Sequence, residues 1–379
     1  MSAHANPDIV TDGLAFIYDT GSGKSYKGEP TINTAGTTGI ANSWNNSGTA
    51  AWSNDDTNVS RLFTNLPVFS MEKLTSGSSH IGTGSTSATV STEYTYSVYV
   101  WIPSSNSVNM AGSSPYFRPQ PANASVGSLT YEGSSAWGTW PRDQWVRVSI
   151  TATTQATNVT SAYISCYLNT AGDKIYFTAP QFEQKGHATP FVNGTRSATQ
   201  GLLDLTNNTT INLSNVSFDS NAQMVFDGTD DYTSLGNPTA LRDLTSGTIE
   251  TVYYRDASSG TYQMVFTDGV SDLEITYSGN TLQFYIGNSG LSYTHAVIDQ
   301  WFNVVGTWGS GFKKLYINGA EVASGTNTGT DTGNRDRYVG GRGANFPFNG
   351  EIPIAKIYNK ALTASEVLQN YNATKGRFQ

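Results

Sequence analysis

Strict period-two alternation constrains this chain more than any other feature. GTIETVYYR (247–255), TLQFYIGN (281–288), FNVVGTWG (302–309), TYSVYVWI (95–102), WVRVSITAT (145–153) and KIYFTAPQFE (174–183) place apolar or β-branched residues at alternate positions. Side chains alternate across a strand, so each run buries one face of a sheet. The connections are rich in Gly, Asn and Asp. Asn318-Gly319 within YINGAEV is the most favoured two-residue hairpin signal, and Ser278-Gly279-Asn280 marks a second short turn. Charged residues make up only 13% of the chain, which carries 21 Tyr, 16 Phe and 8 Trp. A disordered chain lacks such aromatics. The expected class is all-β: two jelly-roll β-sandwiches with a short C-terminal helix.

That helix follows a strand in FNGEIPIAKIYNKALTASEVLQNYNATKGRF (348–378). Thr363 and Glu366 have capping-box spacing, and Leu362 with Val367 fits a hydrophobic staple. Regular alternation puts Ile352, Ile354 and Lys356 on one strand face and Ala355 and Ile357 on the other. Pro353 lacks the N–H that a ladder needs, which suggests an edge or an interruption.

The net charge is −8 without any Lys/Arg cluster. Nucleic acid and anionic membranes are therefore not expected partners. No apolar run approaches the roughly 18–20 residues of a spanning helix. The opening MSAHANPDIVTDG has neither a basic nor an apolar signal region, so synthesis in a cytoplasm is expected. Cys166, the single cysteine, sits in the alternating AYISCYL (162–168) and reads as an apolar core thiol.

The tail segment and the stretch Trp301–Val322, a Trp-led strand followed by Leu-Tyr-Ile-Asn-Gly, resemble laminin-G-like, concanavalin-A-like jelly rolls of phage structural proteins. The opening Asp-Gly-Leu strand with its Lys-Ser-Tyr turn (residues 12–26) resembles the first strand of the same domains. The segment that follows it in such domains is found only at 204–237. This implies a discontinuous domain, residues 1–28 plus 196–379, with residues 29–195 inserted in its loop. The closing tail would then lie beside the chain's beginning. Two consecutive domains are the competing organisation. Residues 29–195 resemble the galactose-binding-like jelly rolls of carbohydrate-binding modules, on the strands at 95–102 and 145–153 and the ending IYFTAPQFEQKGHATPFVNGTR (175–196).

The resemblance implies a non-enzymatic phage virion surface protein: a capsid decoration, a fibre or a tail-associated adhesin. Its partners would be other virion proteins, further copies of itself and a host-surface glycan. The alternative is a secreted or particle-borne protein that binds or processes glycans.

Catalysis finds little support in the residues. Retaining glycosidases need two carboxylates roughly 5–5.5 Å apart. Asp272 and Glu274 share a strand face but form an isolated pair, while Glu250 and Asp256 stand alone and read as solvated. The four His are scattered, and GSGKS (21–25) lacks phosphate-loop spacing. No cofactor is required. Asp227, Asp230 and Asp231 in FDGTDDY offer Ca²⁺ oxygen ligands, or else an Asx-type turn. In related domains a further Asp follows the last strand's Gly-x-Ile; Gly350-Glu351-Ile352-Pro353 lacks it. Trp137, Trp140 and Arg142 in the polar loop YEGSSAWGTWPRDQW (131–145) are the candidate glycan-stacking residues. Trp101, in an alternating strand, reads as core.

Overall fold

The computed structural model describes residues 8–35, 50–53, 55–75, 79–81, 88–106, 117–121, 141–154, 162–168, 170–219, 221–256, 262–331, 333–342 and 345–378. The chain divides into two compact units, Met1–Pro30 with Ser197–Gln379, and Thr31–Arg196. The units are nearly all β, as the alternation requires.

The discontinuous unit is a sandwich of two antiparallel sheets. The first runs Ser217–Phe218, Met224–Asp227, Asn349–Tyr358, Gly247–Arg255, Trp301–Gly309, Phe312–Ile317, Ala320–Gly325, and Leu14–Asp19 pairs with Asn349–Tyr358 off this path. The second runs Asn212–Ser214, Tyr232–Gly236, Arg337–Val339, Tyr262–Thr267, Leu273–Ser278, Thr281–Ile286, Ser289–Thr294. Inward residues of both sheets, among them Ile249, Val304 and Ile357 from one and Ile275, Leu282 and Phe284 from the other, form one buried cluster. The opening strand lies antiparallel to the closing one, with Phe16 opposite Ile357 and Asp19 opposite Ile354.

The closing strand departs from regular alternation. Ile352 joins the inner cluster with Ala355 and Ile357, whereas Ile354 faces the other way with Val252 and Phe378. The cause is a bulge. Register slips between the pairs Val252↔Ile354 and Tyr254↔Glu351, leaving one residue extra beside Pro353. A bulge re-aims side chains in this way. The strand is interior, and Pro353 falls where one neighbour, Met224–Asp227, gives way to the other, Leu14–Asp19. Its missing donor therefore costs no ladder bond, and its carbonyl accepts from Thr20 N at 3.0 Å.

The helix Ala364–Thr374 begins with the full capping box between Thr363 and Glu366. Leu362 and Val367 are buried together with Val10, Val305, Tyr316 and Tyr358. The helix thus covers part of the outer face of the first sheet. Beneath it lies a buried polar network. Glu250 Oε1 accepts from Lys356 Nζ at 2.8 Å and from Asn303 Nδ2 at 2.9 Å; Glu250 Oε2 accepts from Asn370 Nδ2 at 2.6 Å. Glu250 is fully buried, which corrects its reading as a solvated acid. An alternating strand cannot reveal that its polar face will be roofed by a helix.

The second unit has a five-stranded sheet, Ala50–Ser53, Phe69–Lys73, Lys174–Glu183, Glu93–Trp101, Trp145–Thr153, and a three-stranded one, Ser79–Ile81, Ala162–Leu168, Phe117–Pro121. Its core gathers Phe69, Met71, Val98, Val100, Val148, Ile150, Ile175 and Phe177. Its two ends pair antiparallel, Thr31 opposite Arg196 and Ile32 opposite Thr195. Trp101 is half-buried on the face opposite this core, where it meets Trp145 edge to face at 5.8 Å. That corrects its reading as a core residue. Cys166 lies in the strand Ala162–Leu168, but its side chain is outside the described residues.

Candidate functional site

The first sheet leaves part of its outer face open beside the helix. A groove of about 420 Å³ is lined there by Val252, Tyr254, Asp299, Gln300, Trp301, Phe302, Asn303, Asn318, Tyr371, Thr374, Lys375 and Phe378. This volume falls in the range of small-molecule sites, roughly 300–1,000 Å³. Strand register builds its aromatic floor. Tyr254 stands opposite Trp301 on the neighbouring strand, with ring centroids 5.5 Å apart. Phe378 packs on Trp301 at 4.8 Å. Trp301 is half-buried, so part of its indole is open to solvent.

The far wall depends on the hairpin turn between Phe312–Ile317 and Ala320–Gly325. Asn318 and Gly319 have φ of 50° and 79°, as the tight turn demands. Asn318 Oδ1 accepts from Asn303 N at 2.9 Å, and Asn318 N donates to Asn303 O at 2.8 Å. A Cβ on Gly319 would lie 3.0 Å from Leu368 Cδ1 and 3.1 Å from Tyr371 Cδ1. The bare turn therefore lets the helix seat Tyr371 at the groove.

Two polar features give the groove its chemistry. Asn303 is 4% exposed, and its Oδ1 has no hydrogen-bond partner. Its Nδ2 is committed to Glu250, a pure acceptor, so the amide cannot flip without losing that bond. The free atom is thus an acceptor buried behind the groove wall, which a ligand hydroxyl reaches only if that wall gives way locally. Around Tyr254 the field is negative. Burial, then the carboxylates of Asp299, Asp256 and Glu351, raise its phenol above the usual tyrosine range.

The described lining of the groove includes none of the residues singled out from sequence as ligand or metal candidates. Trp137 and Trp140 are outside the described residues. Arg142 is half-buried in the inserted unit. Asp227, Asp230 and Asp231 do come together, with carboxylate oxygens within 4.8 Å of one another. Asp231 Oδ2 accepts from Asp227 N at 2.8 Å, Asp227 Oδ1 from Thr229 N at 2.8 Å, and Asp230 Oδ2 from Asn215 Nδ2 at 2.9 Å. Burial, partly offset by the Asp227 N–H and reinforced by its two acidic neighbours, raises the Asp231 carboxyl. The oxygen donors fit a hard cation such as Ca²⁺, and the local hydrogen bonds also account for the turn on their own.

Asp272 and Glu274 are 5% and 2% exposed. Burial pushes the Glu274 carboxyl up to about 7, against the bond from Thr267 Oγ1 at 2.9 Å. In the inserted unit, Trp101, Tyr176, Lys174, Glu72, Asn106 and Asp143 help line a second, polar groove of about 440 Å³.

A family model agrees with the sandwich. Residues 227–368 match the family model of the concanavalin A-like lectin/glucanases superfamily. No curated protein matches the chain. Among solved structures, domain 4 of AbnA, an extracellular arabinanase from Geobacillus stearothermophilus in complex with arabinotriose, is 18% identical, with 46% of this chain and 93% of that one covered and a TM-score of 0.36. The botulinum neurotoxin serotype D ligand-binding domain in complex with N-acetylneuraminic acid is 12% identical, covering 46% and 49%, with a TM-score of 0.40. The botulinum neurotoxin type G receptor-binding domain is 17% identical, covering 46% and 49%, with a TM-score of 0.37. The match spans about half the length of these neurotoxin domains.

Proposed function

We propose that this chain is a non-enzymatic attachment protein whose lectin-like unit binds glycans in the Trp301 groove. The observation that carries this reading is the combination of an open aromatic floor with a buried, unpaired acceptor at Asn303. Pyranose rings stack their C–H faces on aromatic rings, while a few fixed polar groups set orientation. Both elements stand here on rigid strands, where little is lost to ordering on binding.

Three of the acids weighed for catalysis, Glu250, Asp272 and Glu274, are not among the lining residues of the groove. Glu250 is held by Lys356 and two amides beneath the helix, and Asp272 and Glu274 are buried. No cofactor enters this reading. The resemblance of the opening and closing strands to phage structural proteins supports a place on a virion surface, as a decoration, fibre or tail-associated adhesin. Many copies on one particle would turn weak single contacts, about millimolar, into firm attachment.

A glycan array probed with the full chain tests the reading. The expected result is a defined set of bound glycans and at least about tenfold weaker binding by Trp301→Ala, the usual scale for an aromatic anchor. Binding that survives this substitution unchanged, in a variant of normal melting temperature, would contradict it.

A further inference from the structure

The groove also carries information about which glycans it takes, an inference that rests on the glycan reading above. Among the described residues, Asp299 and Lys375 are the ionisable side chains that line it, apart from its two tyrosines. Lys375 comes from the turn that follows the helix, and its Nζ lies 5.5 Å from the centre of the Tyr371 ring. It therefore sits at the helix side of the groove. The Tyr254 side is different. Asp299 is exposed there, its N–H donating to the Arg255 carbonyl at 2.8 Å; Glu351 stands opposite Tyr254 on the neighbouring strand, and Asp256 follows two residues after Tyr254. Asp256 in turn has its carboxyl raised by burial and then by Asp299. Glu351 is raised by burial, then by Asp219 and Asp256.

The nearby guanidinium groups do not offset this charge. Arg255 points to the interior, where its Nε donates to Gln263 Oε1 at 2.8 Å and its Nη2 to the Gly279 carbonyl at 2.8 Å. Arg377 is engaged by both oxygens of Asp19 at 2.6 and 2.7 Å. The aromatic floor thus faces a local excess of carboxylates. A sialic or uronic acid stacked on Tyr254 and Trp301 would bring a further negative charge into that field. The unpaired Asn303 Oδ1 asks for a donor, which a hydroxyl of a neutral or an acidic sugar supplies alike, so the discrimination rests on the carboxylates.

We propose that the groove selects uncharged pyranosides, with a ring hydroxyl donating to Asn303 Oδ1, and rejects sialic and uronic acid residues through Asp299, Asp256 and Glu351. Selection of this kind rests on repulsion as much as on attraction.

The test compares the full chain with Asp299→Asn on paired probes: neutral oligosaccharides and the same oligosaccharides capped with sialic acid or carrying a uronic acid. Asn keeps the shape of Asp and tolerates the left-handed backbone at this position, where φ is 57°. The native chain is expected to prefer the neutral partner of each pair. Asp299→Asn is expected to raise the acidic-to-neutral affinity ratio about fivefold or more, the scale of one nearby charge. Glu351→Gln should move the ratio in the same direction. Trp301-dependent binding that favours the acidic partner would overturn the selection while leaving the glycan reading intact. Binding that does not depend on Trp301, or no binding to either probe, would overturn the glycan reading and this inference with it.

Discussion

At the residue scale, the groove is made by side chains whose roles are hidden in their own strands. Trp301, Asn303 and Val305 alternate with Phe302 and Val304, and both faces look apolar enough to be core. Only the pairing Tyr254↔Trp301 shows that two aromatic rings meet, and register is not written in one strand. Trp137 and Trp140 drew attention because they stand among Gly and Ser. That signal favours loops and overlooks sheet faces. The three aspartates were legible for a different reason, since residues close in sequence stay close in a tight turn. Glu274 leads to a prediction at this scale. Its carboxyl is raised to about 7 from an ordinary 4.5, chiefly by burial. A carboxyl raised in the folded state contributes stability in full below the unfolded value, and loses it as pH rises through the folded one. Stability should therefore fall between about pH 4.5 and pH 7, by up to about 3 kcal/mol from this group. Urea unfolding of Glu274→Gln should show a flatter profile across that window; a slope equal to the native chain's would contradict the assignment.

At the element scale, local grammar was readable wherever one short signal decides the geometry. The Thr363–Glu366 capping box and the Asn318-Gly319 turn are fixed by a few neighbouring atoms, and both stand as read. The closing strand was not fully readable, because its bulge depends on where two neighbouring strands stop. The same strand shows why Pro is tolerated in a sheet interior: it falls in the two-residue gap, Ile352 and Pro353, between those neighbours. The hairpin turn gives the prediction here. Gly319 has a φ of 79°, and a Cβ there would crowd Leu368 Cδ1 at 3.0 Å and Tyr371 Cδ1 at 3.1 Å. Gly319→Val should destabilise the unit by at least about 1 kcal/mol, since a β-branched residue is strained in this conformation. It should also weaken glycan binding by displacing Tyr371. A melting curve and a binding isotherm measured together check both effects, and a variant normal in both would contradict the packing.

At the scale of the whole molecule, the chain is organised by two sets of ends. The strands Leu14–Asp19 and Asn349–Tyr358 close one sandwich, and Thr31–Ile32 with Thr195–Arg196 close the other unit. Paired neighbours of antiparallel strands lie about 5 Å apart. A guest whose termini are that close interrupts a loop at little cost to its host. Excising Thr31–Arg196 and joining Pro30 to Ser197 through a short Gly/Ser linker should leave a cooperatively folding sandwich, seen as a single sharp calorimetric transition. A molten product would show that the host needs its guest. The sequence placed the divisions at 28/29 and 195/196, where a family-like segment stops and resumes; the compact units divide at 30/31 and 196/197. What no segment of sequence revealed was the groove, because it is assembled from two strands, a turn and a helix far apart along the chain. The most direct test of its role is a crystal structure of the full chain with a glycan bound. The account predicts a pyranose ring stacked on Trp301, with a hydroxyl donating to Asn303 Oδ1. A sugar seated instead at Trp137 and Trp140, with the Trp301 groove filled only by water, would contradict it.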